Sequence, residues 1–339
     1  MKAMVVRAAG RLVLEERPVP QPGRGQVRIR VHACGVCHSD HFVTDALWPG
    51  LALPRVPGHE VAGVVDAVGP DAARLRVGDR VGIGWHGGHD GTCDPCLKGW
   101  FLACRAAGIT GITFDGGYGE YVIAPEVAVA KVPDGLDLAE AAPLLCAGVT
   151  TFNALRNAGA RPGDLVAVAG LGGLGHLGVQ YARAMGFEVV AISRGTDKEP
   201  FAKKLGANHY VDSARPDFAA HMAKLGGARV ILSTAPNAAA AAALVPGLGH
   251  DGCLMIVGAP FEPLAVSAID LISRNARVQG WASGSAADST DAMTFAVKHG
   301  VRPMIERFPL AAAPKAVDAM MKGTVRFRAV LQHDVGGAR

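Results

Sequence analysis

Residues 165–175 read LVAVAGLGGLG, and this stretch decides the fold. Positions 165–169 are apolar without alternation, as in a strand buried on both faces. Gly170, Gly172 and Gly175 then form G-x-G-x-x-G, with Gly173 inside it, and a helix-like run follows over 173–185. The first glycine suits a tight turn. The second lets the backbone approach a pyrophosphate seated on the helix N-terminus, and the third allows close helix–strand packing. With 44 glycines in 339 residues the bare pattern is weak. Its strand–turn–helix setting is what carries a dinucleotide reading.

Working outward, strand-like and helix-like segments keep alternating. They fall at 188–192, 198–205, 230–232 and 254–257, and upstream a helix over 147–158 ends in the turn Arg161-Pro162-Gly163-Asp164. That alternation is the βαβ signature of a doubly wound parallel sheet. The first 130 residues differ. Residues 27–31 alternate apolar and polar, 61–68 and 80–83 are similar short runs, and turn signals recur at 18–25, 69–70 and 116–117, so this part reads as β-rich. After about 280, helices over 288–299 and 313–322 lead to a closing strand at 328–332, with no internal repeat.

Composition narrows the class. Half of the residues are hydrophobic and 19% are charged, which excludes global disorder. The charge is 34 − 30 = +4 with no Lys/Arg block, which sets aside a dedicated nucleic-acid binder. Residues 230–250 are uncharged for 21 positions, long enough to span a membrane. Ser233, Thr234, Pro236, Asn237, Pro246 and a run of alanines make them a strand, a turn and a small-residue helix instead. The N-terminal residues carry scattered charges and no signal-peptide core, so a cytoplasmic protein without membrane attachment is expected. Seven cysteines, at 34, 37, 93, 96, 104, 146 and 253, then favour metal or catalytic roles over disulfides.

The adenosine end of the dinucleotide site departs from its usual form. An acidic residue is expected after the strand 188–192, to hold the ribose. Ser193 stands there, 193 − 170 = 23 positions past the first glycine, with Arg194 beside it and Lys198 further on. An arginine can pair with a 2′-phosphate, so NADP is favoured over NAD. The alternative is that Arg194 is a solvated loop residue.

Three further contexts are GVCHSD at 35–40, PGHEVAGVVDAVG at 57–69 and PLLCAGVT at 143–150. Here the chain resembles, essentially from end to end, the medium-chain zinc-dependent alcohol dehydrogenases of the microbial tetrameric type. The resemblance implies an α/β protein. Its GroES-like β-rich catalytic domain would span 1–147 and 283–339, and its doubly wound, parallel-sheet Rossmann domain 148–282. It implies Cys37, His59 and Cys146 as ligands of a catalytic zinc. Two thiolates and a neutral imidazole balance Zn²⁺ and leave a fourth position open. Glu60 matches a carboxylate that can approach the metal, Asp40 the acid that orients the His59 ring, and Ser39 the hydroxyl that receives the alcohol proton. The family passes that proton to a His five positions after the first zinc Cys; Phe42 holds that place, and His41 falls one residue short. His38 and Arg328 match positions near the pyrophosphate.

The resemblance also implies a structural zinc held by C-x-x-C-x-x-C-x₇-C. Cys93, Cys96 and Cys104 take the last three places and Asp90 the first. A carboxylate can ligate zinc, so zinc is favoured over a metal-free loop with three thiols. Cys34 and Cys253 read as buried small apolar residues. Trp48 and Trp85 match pocket positions, though either could be ordinary core, and Ala259 stands where a larger residue is common. The implied activity is hydride transfer between NAD(P)(H) and a small aliphatic or aromatic primary alcohol or its aldehyde, in a homotetramer. A polyol or secondary-alcohol dehydrogenase of the same family, and a zinc- or nucleotide-binding protein without chemistry, are the alternatives.

Overall fold

The strand Leu165–Ala169 has all five residues buried, as its unbroken apolar run requires. In the computed structural model, which describes residues 1–333, it lies inside a six-stranded sheet. Residues 334–339, the end of the expected catalytic domain, lie outside the described residues. The strand order is His209–Asp212, Glu188–Ser193, Leu165–Ala169, Ala228–Ser233, Leu248–Ile256 and Arg277–Gly280, with every pair parallel. The chain leaves Leu165–Ala169 toward one edge and returns to build the other. The order therefore reverses between Leu165–Ala169 and Ala228–Ser233, and ligands of such sheets bind beyond the strand ends at that point. This sheet and its helices form one compact unit, Thr150–Ala282 with His299–Val301.

The second unit comprises Met1–Val149, Ser283–Lys298 and the chain from Arg302. Its seven-stranded sheet runs Ile305–Pro309, Arg328–Gln332, Gln26–Gly35, Val61–Val68, Arg80–Ile83 and Val129–Lys131, with Tyr121–Pro125 also pairing Gln26–Gly35. All contacts are antiparallel except Ile305–Pro309 with Arg328–Gln332. Gln26–Gly35 buries Val27, Ile29 and Val31 on one face, then becomes buried continuously from Ala33. Register shifts against Val61–Val68 between Arg28 and Ile29 and between Val31 and Ala33 mark where the alternation is interrupted.

Several elements differ from the sequence reading. The helix after the fingerprint is Gly175–Ala184 rather than 173–185, because residues 171–174 complete the turn. The strand expected at 254–257 is Leu248–Ile256; His250 and Asp251 in its first half masked it. A helix over Ala268–Arg274, an edge strand over Arg277–Gly280 and a strand over Ile305–Pro309 were not expected, since short, partly charged edge elements lack an apolar period. The 147–158 helix extends back through a π turn, Leu144–Gly148, to Leu138, despite Pro143. The stretch Leu138–Asn157 is long and apolar enough to cross a membrane, but 83% of its apolar window is buried inside the protein.

Candidate active site

Cys37 follows the end of the central strand Gln26–Gly35 and caps the short turn His38–Asp40. Asp40 folds back over that turn, so that its Oδ2 accepts the Cys37 backbone N–H at 2.9 Å. Its Oδ1 accepts from His59 Nδ1 at 3.0 Å. His59 and Glu60 lie just before the strand Val61–Val68, after Gly58 turns the chain at φ +100°. Cys146 comes from the π turn Leu144–Gly148, and its Sγ lies 3.8 Å from Cys37 Sγ. One ligand atom from each of Cys37, His59, Glu60 and Cys146 falls within 4.8 Å of the others.

The donor set fits zinc. With Nδ1 held by Asp40, His59 keeps Nε2 buried without a hydrogen-bond partner. Two sulfurs and an imidazole nitrogen form a soft, compact set. A hydrogen bond from the Cys146 thiol pulls the Cys37 pKa well below the ordinary thiol value, and its own donation pushes Cys146 well above. Burial works against a charged His59, but Asp40 and the Cys37 thiolate together raise its pKa well above normal. A metal ion taking these donors displaces the thiol and imidazole protons.

Glu60 forms a fully buried ion pair with Arg328. Burial pushes the Glu60 carboxyl up to about 7, against the pull of the guanidinium. Gly35 is needed here because a Cβ would sit 1.9 Å from Glu60 Oε2. The sequence reading put Arg328 near the pyrophosphate; its side chain is 4% exposed and faces Glu60. Trp85 meets the His59 ring edge-on at 5.0 Å, Trp48 meets Trp85 at 5.8 Å, and Phe42 meets Trp48 at 5.9 Å. The tryptophans thus form an apolar wall beside His59. His38 is exposed and Ser39 half-buried. His41 pairs through Nδ1 with Asp45 at 3.1 Å.

The lobe at 90–104 brings its four expected residues together. Cys93 Sγ lies 3.5 Å from Cys96 Sγ and 3.7 Å from Cys104 Sγ, and a carboxylate oxygen of Asp90 joins them within 4.8 Å. Asp90 Oδ1 accepts the backbone N–H groups of Thr92 and Cys93, at 2.8 and 3.0 Å. These contacts, the Cys93 one foremost, hold the carboxyl well below its usual range and keep it ionised for a cation.

In the other unit the fingerprint glycines differ in what requires them. Gly170 turns at φ +96°, and a Cβ on Gly175 would lie 1.6 Å from the Gly170 carbonyl oxygen. A Cβ on Gly172 would meet nothing within 4 Å, so protein packing does not demand that glycine, and the space beside it is open to a close backbone approach of the kind a pyrophosphate makes. Ser193 is buried at the end of its strand, while Arg194 and Lys198 are exposed. Two neighbours escaped the sequence reading. Asp212, paired in register with Ser193, accepts from the Gly195 and Ala214 N–H groups, both at 2.9 Å, and Tyr210 donates to the Gly195 carbonyl at 2.7 Å. The available signal was the next strand end in the βαβ order. Ala259 is exposed, beyond Leu248–Ile256.

Residues 23–134 match the family model described as alcohol dehydrogenase GroES-like domain, and 173–298 match that described as zinc-binding dehydrogenase. The chain is 48% identical over 320 residues to an alcohol dehydrogenase of Penicillium expansum, covering 94% of each. It is 40% identical over 337 residues to an alcohol dehydrogenase of Geobacillus stearothermophilus, covering 98% of this chain and 100% of the other. A solved cinnamyl alcohol dehydrogenase from Sorghum bicolor aligns with a TM-score of 0.89 at 34% identity, covering 100% of this chain and 98% of that one.

Proposed function

The chain belongs to the medium-chain, zinc-type alcohol dehydrogenase family and is an alcohol oxidoreductase; from that premise we propose a zinc-dependent enzyme that moves hydride between NADP(H) and small apolar primary alcohols or their aldehydes. The observation that carries the reading is the meeting of Cys37, His59 and Cys146 from three distant segments, with Asp40 holding His59 Nδ1. Cys37, His59 and Cys146 would hold the catalytic zinc. Bound there, zinc would supply Lewis acidity that makes an alcohol O–H acidic near neutral pH, and a nicotinamide would supply the hydride acceptor.

The chain's own groups supply the rest. Asp40 fixes the His59 tautomer, so that Nε2 is the free nitrogen. Ser39 is half-buried, and its Oγ takes the alcohol proton as its own hydroxyl proton passes to solvent. Phe42 offers no onward acceptor, and His41, with Nδ1 paired to Asp45, presents only Nε2. Trp48 and Trp85 exclude water from the approach to His59 and favour apolar carbon chains or flat rings, since a polyol would find no hydrogen-bond acceptors on indole faces. Gly170, Gly172, Gly173 and Gly175 would carry the pyrophosphate, with Ser193, Arg194 and Lys198 toward the 2′-phosphate. The test is NADPH oxidation with benzaldehyde, followed at 340 nm, with and without chelator. Activity should need metal, and Cys146→Ser should lose metal and most turnover while still binding cofactor. Unchanged turnover in a verified metal-free Cys146→Ser protein would refute it.

A further inference from the structure

We propose that Tyr118 is a positioning residue for the metal-ligand cluster, acting through Asp40. The inference rests on the zinc reading of Cys37, His59 and Cys146. Tyr118 is fully buried, and its hydroxyl donates to Asp40 Oδ2 at 2.9 Å. Asp40 is itself only 1% exposed. Its carboxylate therefore meets three donors: His59 Nδ1 at 3.0 Å on Oδ1, and the Cys37 N–H and the Tyr118 hydroxyl, each at 2.9 Å, on Oδ2. Two of those donors belong to metal ligands. Tyr118 is the third and, among the described residues, the only side chain on Oδ2, so it limits rotation of the carboxylate and with it the direction of the His59 ring.

The backbone of Tyr118 is tied to the same place. Tyr118 N donates to the Pro57 carbonyl at 3.0 Å, and Gly117 N to the Gly58 carbonyl at 2.9 Å, in the two residues that precede His59. The ring fills the space beside Gly58, where a Cβ would lie 2.4 Å from Tyr118 Cδ1. One residue thus braces His59 twice, through the chain leading into it and through the carboxylate that orients it. An ordinary core aromatic needs only the ring, so the hydroxyl is the informative atom.

Tyr118→Phe removes that atom and keeps the ring. Zinc release from holoenzyme to a chromogenic chelator is followed, and the catalytic phase is the one lost in Cys146→Ser. In Tyr118→Phe this phase should be roughly 10-fold faster, the lower end for loss of a partner behind a metal ligand. The kcat should fall with it while the cofactor KM stays unchanged. The effect should vanish in an Asp40→Asn background, because the hydroxyl acts only through that carboxylate. Wild-type release kinetics in Tyr118→Phe, or an equal and additive effect in Asp40→Asn, would overturn the proposal. Equal metal content in wild type and Cys146→Ser would instead refute the zinc reading, a result independent of Tyr118.

Discussion

Acidification should destabilise this protein through His86 before it protonates carboxylates of ordinary pKa, about 4. His86 follows the strand Arg80–Ile83 and is 4% exposed. Its Nε2 lies 3.3 Å from His89 Nδ1, the two rings stack at 5.2 Å, and His89 stacks in turn on Phe101 at 4.2 Å. Nδ1 has no hydrogen-bond partner, so a protonated ring would bury an unsatisfied N–H together with its charge. Burial lowers the His86 pKa to about 4, with His89 adding to the effect and Asp288 opposing it. The folded state therefore binds fewer protons than the unfolded chain, whose imidazole titrates near 6.5. The contribution is fully present above about pH 6.5 and is lost as pH falls toward 4. Between pH 7 and pH 5 the difference amounts to about 2 kcal/mol, or roughly 4–8 °C for a unit of this size. His86→Gln cannot titrate. Melting temperatures of wild type and His86→Gln at pH 7, 6 and 5, with zinc in excess, isolate the contribution of this ring. Wild type should lose that much more than the variant. Parallel curves would show that His86 is not held neutral by its surroundings.

The remaining predictions concern the lobe and the cofactor. Purified protein should hold about two zinc per chain, one at each cluster. Asp90→Ala should lower thermal stability more than initial turnover; one zinc per chain in protein never exposed to chelator would refute the second site. Ser193→Asp with Arg194→Ile should shift preference toward NAD, reversing an Arg–phosphate contact worth roughly 10- to 150-fold. Asp212→Asn keeps an acceptor for both N–H groups and removes a charge near Arg194, so NADP preference should rise about 2- to 5-fold. Equal or higher wild-type kcat/KM for NAD would overturn the NADP reading.

What could be read from the sequence was whatever is local. The doubly wound sheet showed itself because each buried strand is a short apolar run next to its turn, as at residues 165–175. Asp90, Cys93, Cys96 and Cys104 lie within one loop, where the resemblance to the family's four-ligand pattern could be laid on them position by position, and they do come together. The three-segment cluster of Cys37, His59 and Cys146 was reached by resemblance, since nothing in residue spacing joins position 37 to position 146. Contacts of high sequence separation between chemically ordinary residues stayed hidden. Tyr118 lies 78 positions from Asp40 and was not singled out, and Arg328 lies 268 from Glu60 and was expected near the pyrophosphate, not at that carboxylate. The strand Ile305–Pro309 was missed for a related reason: as an edge strand it pairs on one side only and carries no apolar run.

Those hidden contacts explain why the cluster suits a divalent cation. Asp40, His59, Glu60 and Arg328 are each at most 4% exposed, and buried charge must be paired or neutralised. Arg328 answers Glu60, and Asp40 is answered by three donors. What remains is two cysteines and one imidazole. Cys37 is pulled well below its ordinary value while Cys146 and His59 are pushed well above theirs, so a proton on each of the latter two is what a cation would displace. Replacing those two protons by one divalent cation leaves two thiolates, a neutral imidazole and the metal, with no net charge added to the interior. Without Arg328, Glu60 would be an uncompensated buried carboxyl beside the cysteine sulfurs. It would either take a proton or compete for the metal, so the distant arginine leaves the cation to the sulfur and nitrogen donors.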